Sequence, residues 1–300
     1  MGVDTLLLAL IDGVSYAGLL FLVALGLTFI FGVVRVLNVA HGSLYAFGGY
    51  TAASMGIWFA QGSGSITLSI LALILGAGIV GVILGYGLML LLHPFRDRDP
   101  IILLLVTFGA FMVLEDVQVM IWGTQPYFVS DVVFQMGDSE LLGVVFMNYQ
   151  LWFIPSVALA VYVLLRWFLK HSLKGRQIIA VTHDREVATA LGVNASSIAS
   201  LTFIIGATLG ALGGALASPT TSLVPGVGAD MIVLSFAVVA TAGLGQISGA
   251  LIVALMIGIS RSLSVYFLPQ FEVVMPYLIM MAVLLIRPQG LFTVAEARRI

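Results

Sequence analysis

Asp12, Glu115, Asp116 and Arg261 stand inside long apolar stretches of the sequence. A charge there is costly, and one that is kept pairs across helices, binds an ion or relays a proton. The last two uses would be those of a self-sufficient secondary transporter or channel. Counted from Ile101, Glu115 lies about 21 Å along a helix at 1.5 Å per residue, toward the far interface, where a snorkelling or interhelical role competes with a relay. The histidines, His41, His93, His171 and His183, are scattered, there is no H-E-x-x-H, and the chain has no Cys. We therefore expect no metal centre, no thiolate nucleophile and no catalytic residue. No G-x-x-x-x-G-K-[ST] loop occurs either, so ATP-driven action requires a partner chain. The remaining polar groups form three constellations. Asn38, His41, Gly42 and Ser43 interrupt one apolar region, and Gly243, Gly245 and Gln246 interrupt another. Asp184, Arg185 and Glu186 precede Ala188 and Gly192 in the longest charged segment.

The elements that must position these groups follow from composition. Of 300 residues, 61% are hydrophobic and 9% charged, against about 25% charged in soluble domains. At about 20 residues per span, that content fills about eight or nine membrane segments. The main apolar runs are Thr5 to Val34, Ala40 to Ala60, Ile66 to Leu92, Ile101 to Trp122, Tyr149 to Leu169, Ile198 to Ala217, Met231 to Ala242, Gly249 to Phe267 and Val273 to Ile286. They lack the alternation of a barrel strand and most exceed its length, so the fold class is all-α, a polytopic transmembrane helical bundle. Residues 1–300 read as a single transmembrane domain. Met1 to Asp4 carries no base, unlike the start of a cleavable signal, so the first run is expected to stay as a span. The net charge of -2 supplies no basic field for nucleic acid.

All but one of the 12 Lys and Arg residues fall in one set of loops: Arg35; Arg96 and Arg98; Arg166, Lys170, Lys174, Arg176 and Arg185; Arg287, Arg298 and Arg299. Cations are retained on the cytoplasmic side, which places the N-terminus outside and the C-terminus in the cytoplasm. The other loops, Gly123 to Asn148, Ser218 to Asp230 and the Pro269 turn, carry acids and should face outward. At 35–49 and 242–250 the chain either turns at the cytoplasmic surface or bends within the membrane as broken or re-entrant helices, which often mark transport sites. Glycine-rich spacings, Gly76-x-Gly78-x-x-Gly81-x-x-x-Gly85 and Gly206-x-x-x-Gly210-x-x-Gly213-Gly214, predict close helix packing. In the segment at about 170–199, Asp184 can cap a short helix, Glu186 suits its first turn and Gly192 its end. Val187, Ala188 and Leu191 would form one apolar side of this helix, which either lies along the inner membrane face or docks a cytoplasmic partner.

The stretch from Gly26 to Tyr45, GLTFIFGVVRVLNVAHGSLY, resembles the N-terminal signature of permeases of branched-chain amino acid ABC importers. Arg185 to Gly192, Gly243 to Ala250 and the closing Arg287-Pro288-Gln289-Gly290-Leu291-Phe292 agree with that family in order, so the resemblance spans nearly the whole chain. It is nearer the shorter of the two paired permeases. Glu186-Val187-Ala188-x-x-x-Gly192 is similar to the E-A-A-x-x-x-G coupling motif, with Val187 in place of the first Ala and no I-x-L-P tail. The resemblance implies a bacterial or archaeal cytoplasmic (inner) membrane protein. It also implies a second homologous permease, two cytoplasmic ATPase subunits that hold ATP and Mg, and an extracellular or periplasmic substrate-binding protein. Coupling to the ATPase would then fall on Asp184, Arg185, Glu186, Ala188 and Gly192, and the substrate would be a branched-chain or related hydrophobic amino acid. Permeases of urea or short amides look similar and remain the alternative.

Overall fold

The computed structural model describes residues 2–63, 65–95 and 98–292, the side chains of 60–63 excepted. Arg96, Arg298 and Arg299, three of the bases that set the expected orientation, lie outside the described residues. Each apolar run is a helix. Among the described residues, six helices are long and apolar enough to cross a membrane: Val3–Val34 (α1), Ile66–Phe95 (α3 with a short 3-10 extension), Pro100–Trp122 (α4), Tyr149–His171 (α6 with its π-helical start), Ala195–Ala217 (α9) and Ile247–Phe267 (α11). Three further apolar helices complete the set, α2 (His41–Ser63), α10 (Val227–Ala242) and α12 (Met275–Ile286). Shorter elements lie between them. Helix α8 (Arg185–Ala190) is the short helix expected after Asp184. The apolar pattern does not announce the others: α5 (Asp131–Met136), a hairpin of β1 (Asp138–Leu141) and β2 (Val144–Met147), and α7 (Leu173–His183). The hairpin is antiparallel, Asp138 facing Met147 and Leu141 facing Val144. Its two-residue turn is Leu142 and Gly143, at φ 55 and 83, the paired positive φ that a tight right-twisted hairpin requires.

The bundle is organised on α1 and α9. The most apolar window of α1 is 78% buried and that of α9 67%, whereas those of α4 and α6 are only 17% buried. The first pair is therefore axial and the second peripheral. α1 packs along α11 on one side and α9 on the other, and α9 in turn carries α2 and α3. Glycines set these seams. A methyl at Gly81 would run into Thr208, one at Gly85 into Ala207, one at Gly206 into Ile30 and the Gly26 carbonyl, and one at Gly214 into the Tyr45 carbonyl. The small-residue spacing read from the sequence is thus used on both helices, with Gly78 the exception, open within 4 Å. Close backbone approach of this kind gives helices their packing enthalpy where lipid gives no hydrophobic drive.

The described bases Arg35, Arg98, Arg166, Lys170, Lys174, Arg176, Arg185 and Arg287 collect at the end of the bundle where α1, α3, α6, α10 and α12 finish. Asp131, Asp138, Glu140 and Glu272 collect at the opposite end. We call these the basic and acidic ends.

Candidate functional site

Helix α1 stops at Arg35, whose backbone sits in the left-handed region at φ 54 and whose amide bonds back to Phe31 O at 2.9 Å. The chain then runs without regular structure to a turn at Val39 and Ala40, and α2 begins at His41. The start of α2 is not beside the end of α1. The His41 ring Nε2 lies 3.0 Å from the Val23 carbonyl, about 16 Å back along α1 from Val34 at helical rise. Thr107 of α4 receives the connecting segment, its Oγ1 accepting from the Val39 amide at 3.3 Å. The region at 35–49 therefore leaves α1 at the basic end and re-enters the bundle, so that α2 begins deep inside it and not at a surface turn.

A second helix starts at the same level. Gly226 takes φ +91 and admits α10, whose Gly228 meets Gly42 of α2 backbone to backbone. A methyl on Gly42 would strike the Gly228 carbonyl and stand 2.9 Å from Ile232 Cβ. The first turns of α2 and α10 thus cross in mid-bundle. Their first amides bond back to the preceding turns, His41 N to Asn38 O and Ala229 N to Gly226 O among them, and each helix brings the positive end of its dipole. Gly26 and Gly210 open the slot for the imidazole between them, since a methyl at either would stand 2.9 or 2.7 Å from the ring.

The polar side chains at this crossing are sealed. Asn38 and His41 are 0% exposed and Ser43 2%. To donate to Val23 O, His41 must carry its proton on Nε2, which leaves Nδ1 as a bare acceptor in the neutral ring. Among the described residues that Nδ1 has no hydrogen-bond partner, nor do both side-chain atoms of Asn38 or the Ser43 hydroxyl. Each such buried group costs about 1–3 kcal/mol. A break that needed these residues only to satisfy its own backbone would have used them for that, so their unpaired state calls for another reason.

At the basic end, Ser172 caps α7, its Oγ accepting from Gly175 N at 2.8 Å, and Asp184 caps α8, its Oδ1 accepting from Val187 N at 3.0 Å. Gly192 closes the element at φ +86. The cap, the first-turn acid and the stop all stand where the spacing predicts them. The apolar side does not. Ala188 is buried at 3%, while Val187 and Leu191 are 54% and 79% exposed. One turn of helix can turn only one of these faces inward, and α8 turns Ala188, holding the two larger side chains outward.

The Gly243, Gly245 and Gln246 segment is a surface turn. Gly243 and Gly245 take φ 102 and 83, Gln246 N bonds to Gly243 O at 3.1 Å, and the turn rests on Gly32 near the end of α1. The last carbonyls of α10 are closed by the tail, Leu291 N bonding to Thr241 O at 2.9 Å and Phe292 N to Ala242 O at 3.1 Å. Gly290, at φ +89, lies against Gly243, where a methyl would not fit. The closing Arg287 to Phe292 signature therefore has a structural role, because it supplies donors to the final carbonyls of a helix, which have no partner within the helix itself. Two of the constellations, at Arg185 and at Gly245, reach the final turns of α1. Arg185 shares a cavity of about 60 Å³ with Val34 and Val36, and Gly245 shares one of about 130 Å³ with Thr28, Thr182 and His183.

Residues 9–284 match the family model described as branched-chain amino acid transport system / permease component. The chain belongs to this family. It is 27% identical over 298 residues to the high-affinity branched-chain amino acid transport system permease protein BraD of Pseudomonas aeruginosa, covering 97% of each chain. It is 25% identical to LivH of Escherichia coli strain K12, a protein of the same description, covering 96% of each. Against the probable branched-chain amino acid transport permease protein LivH of Methanocaldococcus jannaschii it is 29% identical, over 93% of this chain and 90% of that one. In this permease component the broken helix forms a crossing of which the sequence shows one side only. Asn38, His41, Gly42 and Ser43 are legible as an interruption. Thr107, Gly228 and the Val23 carbonyl, which complete the crossing, are not. Gly226-Val227-Gly228 is the available signal, a pair of glycines at the start of a run too short to span.

Proposed function

We propose that the chain is one of two homologous permease subunits of an ATP-driven importer for branched-chain or related hydrophobic amino acids. The second permease completes the membrane pathway, two cytoplasmic ATPase subunits hold ATP and Mg, and a binding protein delivers substrate from outside. The match over residues 9–284 carries this reading, and the relatives named above support the substrate class. The absence of a phosphate loop from the sequence agrees with hydrolysis on a partner. In this reading the basic end faces the cytoplasm, by the retention of cations there. Helix α8 offers Val187 and Leu191 to the ATPase, and Asp184, Arg185, Glu186, Ala188 and Gly192 form the coupling segment. Through the Arg185 cavity its movement reaches Val36 and the broken helix, so Asn38, His41 and Ser43 form a gate whose polar groups find partners in another state of the cycle.

Reconstitution tests the whole reading. Vesicles holding both permeases and both ATPases, given ATP and the binding protein, should accumulate radiolabelled leucine. Vesicles with this chain alone, under a proton or sodium gradient, should not. Uptake by the lone chain would replace the reading with a secondary transporter, and uptake of urea in place of leucine would reassign the substrate. Replacing Arg185 and Glu186 together should uncouple ATP hydrolysis from uptake while the chain still folds.

A further inference from the structure

At the acidic end, between α1, α11 and the turn into α12, lies a polar cavity of about 290 Å³. That volume is close to the lower end of small-molecule sites, about 300 Å³. Its charged members are Asp12, Arg261 and Glu272. The Arg261 guanidinium donates to the Glu272 carboxylate and lies over the Tyr16 ring, 4.3 Å from its centroid. Cation and ring together hold the guanidinium in one orientation. Asp12 is bound differently. Its Oδ2 accepts from the Tyr266 hydroxyl at 2.5 Å, and the only ion pair among the described residues is Arg261 with Glu272. The cavity therefore holds one carboxylate more than its cation can neutralise. Leu19 and Val265 add an apolar wall, and Thr221 stands exposed at the rim.

From this juxtaposition we propose that the cavity receives a free α-amino acid, its ammonium group on Asp12 and its carboxylate on the Arg261 N–H groups that the Glu272 contact leaves over. The proposal rests on the importer reading above and adds to it a place where the substrate's charged head is held outside the gate. The chemistry matches at both ends of the ligand. An ammonium supplies the cation that Asp12 lacks, and a guanidinium already aimed at one carboxylate accepts another of the same geometry. Leu19 and Val265 then lie beside the substrate's apolar side chain. A purely structural arrangement would use the Arg261 and Glu272 pair and the Tyr266 bond to Asp12 across α1 and α11, but neither contact neutralises the Asp12 charge.

The test uses the assembled transporter. Asp12→Asn should raise the KM for leucine uptake about tenfold or more, the effect of losing a hydrogen bond to a charged group, with both ATPase subunits still bound. The double exchange Arg261→Glu with Glu272→Arg rebuilds the ion pair. It should restore assembly and leave leucine uptake lost, whereas a purely structural pair predicts that uptake returns. A wild-type KM in Asp12→Asn, or uptake rescued by the exchange, overturns the proposal. A second measurement does not depend on transport. Because the chain has no Cys, Thr221→Cys introduces a single thiol at the rim, and its labelling by a polar maleimide should be slowed by leucine and by glycine. That protection should vanish when Asp12→Asn is added. Asp12-dependent protection in a complex that imports no branched-chain amino acid would sink the importer reading and sustain this site. Labelling unaffected by either amino acid would sink the site whatever the complex transports.

Discussion

Asn38 brings an amide into a place where neither its oxygen nor its nitrogen has a partner among the described residues, and it is 0% exposed. Leucine has nearly the same outline and no polar atoms. Removing unpaired buried groups should recover about 1–3 kcal/mol, so Asn38→Leu should melt at the same or a higher temperature than the parent chain in detergent. If the amide serves the transport cycle, uptake by the assembled importer should nonetheless fall by about tenfold, the exchange of function for stability that strained sites show. Melting curves and leucine uptake on the same preparation decide it. A variant that is stabilised and transports normally removes Asn38 from the gate. His41 differs, because its Nε2 is engaged at 3.0 Å by Val23 O. Truncating it would leave a void between Gly26 and Gly210, so it does not offer the same clean separation.

Among the elements, α8 gives the most direct test of docking. Its one buried side chain, Ala188, anchors it, and its Val187 and Leu191 stand 54% and 79% exposed. Exposed positions away from special contacts tolerate substitution within about 0.5 kcal/mol. Val187→Asp with Leu191→Asp should therefore leave the permease folded and abolish co-purification of the ATPase subunits. Retained ATPase at wild-type yield would show that the helix docks nothing there. The same helix separates what a sequence encodes locally from what it does not. Asp184, Glu186 and Gly192 act through local backbone geometry, so a short stretch of sequence is enough to place them. Which apolar face turns inward depends on α7 and α9, and the local pattern of Val187, Ala188 and Leu191 points the wrong way. α7 itself is hard to see because its charged sequence has little apolar periodicity, although Ser172 stands ready as its cap. The long runs are readable because a membrane span is nearly pure composition. The crossing of α2 with α10 is not, since nothing within residues 35–49 names Gly228 as their partner.

At the scale of the whole molecule, the broken helix is assembled from distant parts of the chain. The His41 slot is cut by Gly26 and Gly210, and Gly42 is met by Gly228 and Ile232. A fragment ending at residue 222 should insert its helices yet leave residues 35–45 open to amide hydrogen exchange. Supplying residues 223–300 as a second fragment should restore their protection. Protection already complete in the first fragment would show that α10 is not needed to seat α2. The arrangement also has a consequence for biogenesis. The ribosome delivers α2 early, while the helix that closes over its first turn emerges nearly two hundred residues later. The first half of the chain must therefore wait in the bilayer with its polar turn uncovered, and an insertion factor or chaperone that shields buried polar segments would act longest on residues 35–43.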